Sequence, residues 1–170
     1  MGIAKNTIVA TITACIVVLS CKKENTPAMG IDEEMLTLAR STTGFTWYKN
    51  SQSLLGKSSG SGHNYAFLRT RFNAVATASL DNGGKVKEGA VFPEGSLIVK
   101  ELTNGTEPER YAILLKRSGH EVADANGWIG GYINADGTVA EPASKKGNIC
   151  TGCHSQAGNI DYMLMNKFFP

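Results

Sequence analysis

Cysteine is scarce in this chain of 170 residues, with four in all. An excess of charge of one sign is missing too. Seventeen basic side chains face 15 acidic ones, for a formal net charge of +2. That balance gives no basis for a nucleic-acid partner or a strongly acidic one. No internal repeat or low-complexity block interrupts the chain. The long apolar run, "NTIVATITACIVVLS" from Asn6 to Ser20, is too short and too poorly flanked for a permanent membrane span.

That run has instead the length of a signal-peptide core, behind the short basic start "MGIAK". Ser20 directly before Cys21 resembles the lipobox of bacterial lipoproteins. Residues 1–20 are therefore expected to be a lipoprotein-type signal peptide, with Cys21 the lipidated first residue of the mature chain. An ordinary cleaved signal and an uncleaved anchor are the alternatives. Each exports the domain to the periplasmic side of a bacterial membrane, and the first leaves it lipid-anchored. Removing the segment takes away one charge, Lys5. Residues 21–32, polar and broken by Pro27, read as a tether, and residues 33–170 as one domain.

Cys15 leaves with the signal and Cys21 is acylated, so only Cys150 and Cys153 remain. An exported compartment permits disulfides, but no separate pair is left to build a framework. The two thiols need a joint explanation.

The mature chain reads as mainly β, with an α+β antiparallel sheet and a few short helices. "DEEMLTLAR" predicts a first helix with Asp32 as N-cap. "GKSSGSG" (56–62) is a flexible loop, because no helix start follows that would make it a phosphate cradle. "YAFLRTRF" alternates as a strand, with Arg69 and Arg71 on one side and Leu68, Thr70 and Phe72 on the other. "SLIVKEL", "RYAILLKR" and "GWIGGYI" follow as three more strands.

Near the end of the chain stands "GNICTGCHSQAGNIDYML", in which Cys150, Cys153 and His154 spell C-x-x-C-H. That spacing is the one used to attach a c-type haem. Two thiols three positions apart add to the two vinyl groups as thioethers, and the adjacent histidine becomes the proximal iron ligand. A structural zinc site needs about four ligands, and no second cysteine pair exists. A thioredoxin-type motif expects a βαβ context that the sequence does not show. One covalent haem c near the C-terminus is the expectation.

No sixth ligand stands out. Met163 and Met165 lie close behind His154 and look like packing residues of a terminal helix. Met29 falls in the tether and Met35 on the first helix. His63 sits in a loop and His120 in a polar turn, where solvated histidines are the ordinary case. An open distal position is expected, which suits small-molecule binding or catalysis.

"FPEGSLIVKEL", "RYAILLKR", "GWIGGYI", the late C-x-x-C-H, Asp161 and the terminal "FFP", in that order, resemble the cytochrome P-460 family. The related cytochrome c′-beta proteins share its architecture. The resemblance covers roughly residues 64–170. It implies a mostly β, usually dimeric, exported protein with one five-coordinate c-type haem, oxidising hydroxylamine, in some conditions together with nitric oxide. It also implies a covalent link between the haem and a lysine, and Lys100 stands at the matching position. Lys100 shares a strand face with Ile98 and Leu102, so its amine is expected in apolar surroundings that lower its pKa. Arg69 in "FLRTRF" matches a distal arginine of the family, with Arg71 as the neighbouring alternative. No carboxylate is singled out as the general base. Glu101, Glu121, Glu141 and Asp161 are candidates, and Asp161 also suits a helix cap or a backbone bond.

Three functions are carried forward: a haem-dependent oxidoreductase passing electrons to an external acceptor protein, a nitric oxide or carbon monoxide binding protein without turnover, and a plain electron carrier.

Overall fold

Alternating side chains in four segments near the middle of the chain build the long strands of this protein. In chain order the strands are β1 (Thr46–Trp47), β2 (Leu55–Gly56), β3 (Phe67–Phe72), β4 (Leu97–Thr103), β5 (Arg110–Lys116), β6 (Trp128–Asn134) and β7 (Val139–Glu141). The structure is a computed structural model and describes residues 26–170. The signal-like segment 1–20 and Cys21 lie outside the described residues. All strands pair antiparallel in one sheet, in the order β1-β3-β4-β5-β6-β7, with β2 also on β3. Among the described residues four short α-helices complete it: α1 (Ile31–Arg40), α2 (Ala74–Thr77), α3 (Asn148–His154) and α4 (Met165–Phe168). The architecture is α+β and mainly β. Among the described residues no helix is long and apolar enough to cross a membrane.

A strand sends alternate side chains to opposite faces, and here each face has its own core. The back face buries Leu97, Val99, Ile113, Leu115, Ile129 and Ile133 under Met35, Leu36 and Ala39 of α1. The front face buries Leu68, Phe72, Ile98, Leu102 and Trp128 with Phe92, Met163 and Met165. The front cover comes from Tyr48, Ala76, Leu80, Val86 and Phe92 ahead of β4 and from Met163 and Met165 after β7.

Asn73 shows how the sheet is pinned at one end. Its side chain accepts the Ala76 N–H at 2.9 Å, capping α2, and the Leu97 N–H at 3.0 Å, where β4 begins. Asp32 does not cap α1. The N-cap is Gly30, without a side-chain bond, and Asp32 instead accepts the Ala143 N–H at 2.9 Å. That bond ties the first helix to the chain leaving β7, where an otherwise unpaired backbone donor needs an acceptor. The last residues of the expected tether lie along the sheet edge, with Pro27 bridging Thr138.

Candidate functional site

The C-x-x-C-H motif forms α3, so its spacing becomes geometry. Residues three and four apart on a helix are neighbours on one side, which sets Cys150 beside both Cys153 and His154. Both thiols are free of disulfides. Lys146 (φ 51) and Gly147 (φ 66) are both left-handed and swing the chain from β7 into the helix. The helix start then comes down on β6 at Gly130. A Cβ there would stand 3.2 Å from Leu114 Cδ2 and 4.0 Å from the Gly147 Cα, so glycine makes this close approach possible.

Three adjoining cavities share His154 as a wall. The first lies on the front face and is lined by Ile98, Lys100, Ala112, Leu114, Tyr132 and Cys150 among others. The second runs from His63, Lys100 and Cys153 toward Leu164, Phe168 and Phe169. The third holds Cys150, Trp128, Tyr162 and Asp124. The linings are mostly apolar with a few polar groups converging, as in sites for flat organic groups.

His154 is oriented from behind. Its Nδ1 lies 2.5 Å from the carbonyl oxygen of Tyr162. A carbonyl only accepts, so Nδ1 carries the proton and Nε2 presents its lone pair. Burial and the Lys100 charge hold the His154 pKa below the usual value, partly opposed by the Tyr162 bond.

The Tyr162 carbonyl is aimed by an unusual turn. Ile160 and Met163 exchange two backbone hydrogen bonds of 2.8 Å, and between them Asp161 (φ 44) and Tyr162 (φ 68) are both left-handed. Turns of this kind prefer Asn-Gly, and a tyrosine at positive φ is strained. Asp161 holds the turn in place. Its carboxylate accepts the Phe92 N–H at 2.8 Å and the Trp128 indole N–H at 3.1 Å, and pairs with Lys116 at 3.3 Å. Of its two expected roles, the backbone bond is the one observed.

On the other side of the cavities stands His63. The expectation of a solvated loop histidine fails. The loop between β2 and β3 folds inward and places the ring, partly buried, with Nε2 3.1 Å from Lys100 Nζ and Nδ1 3.2 Å from the Tyr132 hydroxyl. Burial first, then the Lys100 charge, lowers its pKa to about 2. Its ring centroid is 6.4 Å from that of His154. Little in the sequence marked it, since flanking "SSGSGHN" has loop composition. The lone hint was a histidine a few residues before a strand edge.

Lys100 lies on the front face of β4 with Ile98 and Leu102 and opens onto the first two cavities. Burial lowers its pKa from 10.5 to about 8. The structure thus brings Lys100, Cys150, Cys153 and His154 together.

It does not bring Arg69 to them. Arg69 is one residue out of phase with Thr70, the cross-strand partner of Lys100, so it projects from the back face. There it pairs with Glu101 and stacks 5.0 Å from the Trp47 ring centre. Arg71, the alternative, is buried on that face with Glu101, Phe45 and Trp47. Glu101 is committed to these two guanidiniums. None of Glu101, Glu121, Glu141 or Asp161 lines the first two cavities.

The donor set decides what kind of group fits. Among the described residues no three His, Cys, Asp or Glu side chains gather where they could hold a bare ion. A porphyrin brings its own four equatorial nitrogens and asks of the protein only axial donors, attachment points and an apolar slot. Two free thiols on one helix side, a His154 Nε2 lone pair and adjoining apolar cavities meet those needs. Comparison with known protein families, curated proteins and solved structures returned no match for this chain.

Proposed function

We propose that this chain is an exported mono-haem c-type cytochrome resembling cytochrome P-460, which oxidises hydroxylamine or nitric oxide and passes electrons singly to an external acceptor protein. The supporting observation is the convergence of Cys150, Cys153, His154 and the Lys100 amine on one set of adjoining cavities. Cys150 and Cys153 would hold haem c as thioethers, each S–H adding across a vinyl double bond, and His154 would hold the iron through Nε2. When bound, the haem supplies a one-electron redox centre with affinity for small nitrogenous ligands.

The side chains around it do the rest. Leu164, Phe168 and Phe169 give the second cavity an apolar wall. Hydroxylamine going to nitric oxide releases three electrons and three protons, so groups that take up protons must face the substrate. Until it is attached, the Lys100 amine, with a pKa lowered to about 8, would exchange a proton near neutrality. Its neutral amine also suits the third haem attachment that the resemblance implies. Such a bond replaces a porphyrin C–H with C–N, releases two electrons and two protons, and so needs an oxidant of the peroxide class during maturation. Lipidation of Cys21 would keep the domain at a membrane surface.

Ligand binding without turnover is the second reading, and the absence of any carboxylate from the first two cavity linings favours it. One experiment separates them. Matured protein is digested, its haem peptides are weighed, and hydroxylamine is supplied with a one-electron acceptor. Haem on the Cys150–Cys153 peptide joined to the Lys100 peptide, with repeated turnover, supports the oxidoreductase. Haem on the cysteines alone with stoichiometric binding supports the carrier of small ligands. A cysteine peptide free of haem overturns both.

A further inference from the structure

A lysine amine rides on a flexible four-carbon stem, so it keeps one place only when something holds it. Lys100, Ala112 and Tyr132 stand side by side on β4, β5 and β6, paired in register as Lys100 with Ala112 and Ala112 with Tyr132. Two strand spacings, about 10 Å, separate the outer two. Ala112 is small and leaves room between them. The His63 ring bridges that gap, with Nε2 3.1 Å from Lys100 Nζ and Nδ1 3.2 Å from the Tyr132 hydroxyl. All four residues line the first cavity, and no carboxylate stands with them.

The bond has a direction. A lysine ammonium has no acceptor capacity, so His63 Nε2 offers the lone pair and Nδ1 carries the ring proton toward Tyr132. The loop that carries His63 is itself fastened. The Lys57 N–H donates to the Ala66 carbonyl at 2.8 Å and closes its base. A Cβ at Gly60 would run into the Phe168 ring, so the loop lies tight against α4.

We propose that His63 is the positioning residue for the third haem attachment, its Nε2 holding the Lys100 amine by one N–H so that the nitrogen lone pair stays free to form the C–N bond. This inference rests on the oxidoreductase reading above. In the step a porphyrin C–H and an amine N–H break and one C–N bond forms. The two electrons and two protons released convert one hydrogen peroxide to two waters, so His63 neither gains nor loses a proton overall. Burial, which lowers the Lys100 pKa to about 8, brings the neutral amine within reach of physiological pH.

The test uses the full chain, co-expressed with a c-type haem attachment system and then treated with hydrogen peroxide. The matured protein is digested and its haem peptides are weighed. Wild type should join the Lys100 peptide to the haem of the Cys150–Cys153 peptide. His63→Ala should keep both thioethers in undiminished yield and lower the joined fraction roughly tenfold or more. His63→Gln, whose side-chain oxygen accepts the same N–H, should restore most of it. Joining that persists undiminished in His63→Ala would overturn the inference and leave the parent reading standing. Equal loss in both variants, or a thioether yield that falls in step with the joined fraction, would make His63 a general support of the fold and overturn it too. Wild type carrying haem on its cysteines alone would overturn both the inference and the oxidoreductase reading.

Discussion

The backbone of Tyr162 orients the ring of His154: its carbonyl oxygen accepts the Nδ1–H at 2.5 Å from a turn only eight residues further along the chain. That turn is left-handed at two successive non-glycine residues. Its conformation persists because Asp161 is fastened to the sheet by Phe92, Trp128 and Lys116. The histidine is thus positioned indirectly, from β5 and β6 through one carboxylate.

Asp161→Ala removes those acceptors and leaves Lys116, mostly buried against the Trp128 ring, without its partner. The expected loss is about 2–3 kcal/mol in urea unfolding of the apo-protein. A loss below about 0.5 kcal/mol would mean that the turn holds itself.

Gly130 is where α3 meets the sheet. Gly130→Ala places a methyl 3.2 Å from Leu114 Cδ2, a contact that a small shift relieves at about 1 kcal/mol. Gly130→Val should instead push the helix start away and cut covalent haem yield several-fold. The measurements are thermal unfolding and the haem-to-protein ratio, and an undiminished ratio in the valine variant would count against this packing.

Arg69, Arg71 and Glu101 form a charged cluster on the back face. Glu101→Ala strands the buried Arg71 guanidinium and should cost about 3–5 kcal/mol. Arg69→Leu, by contrast, should leave carbon monoxide and nitric oxide association within about twofold of wild type, since the sheet separates it from the cavities. A tenfold change in association would place Arg69 on the front face.

Lys100 sets a pH dependence of the apo-protein. Its folded pKa of about 8 lies below the usual 10.5, so the native state gives up the proton first. Between those values the unfolded chain binds more protons, and stability rises with pH across that window. Below about pH 8 both states are protonated and the burial penalty is present in full. Lys100→Met should therefore stabilise the apo-protein at pH 7 by on the order of 1–2 kcal/mol, and flatten the rise from pH 8 to 10.5. Parallel stability curves for the two proteins would contradict the burial of this amine.

Much of the fold was legible because short apolar runs bounded by turn residues read as strands. "SLIVKEL", "RYAILLKR" and "GWIGGYI" became β4, β5 and β6 within one residue at each end, and the parity that set Lys100 with Ile98 holds. The same parity separated Arg69 from Lys100, but only the cross-strand register shows it, with Thr70 opposite Lys100. Sequence alone does not give register between strands some thirty residues apart. His63 escaped for a different reason. A glycine-serine loop has no periodicity, so nothing local says whether it lies out in solvent or folds over a cavity. The Asp161–Tyr162 turn was hidden because it is strained, and local preference argues against it.

The two cores differ in what they need. The back core closes entirely with residues up to Ala143, whereas the front core also requires Met163 and Met165 near the far end of the chain. The sheet and α1 can therefore assemble while the tail beyond Lys146 is still loose, pivoting on two left-handed residues. Cys150 and Cys153 lie in a stretch that the back core does not need.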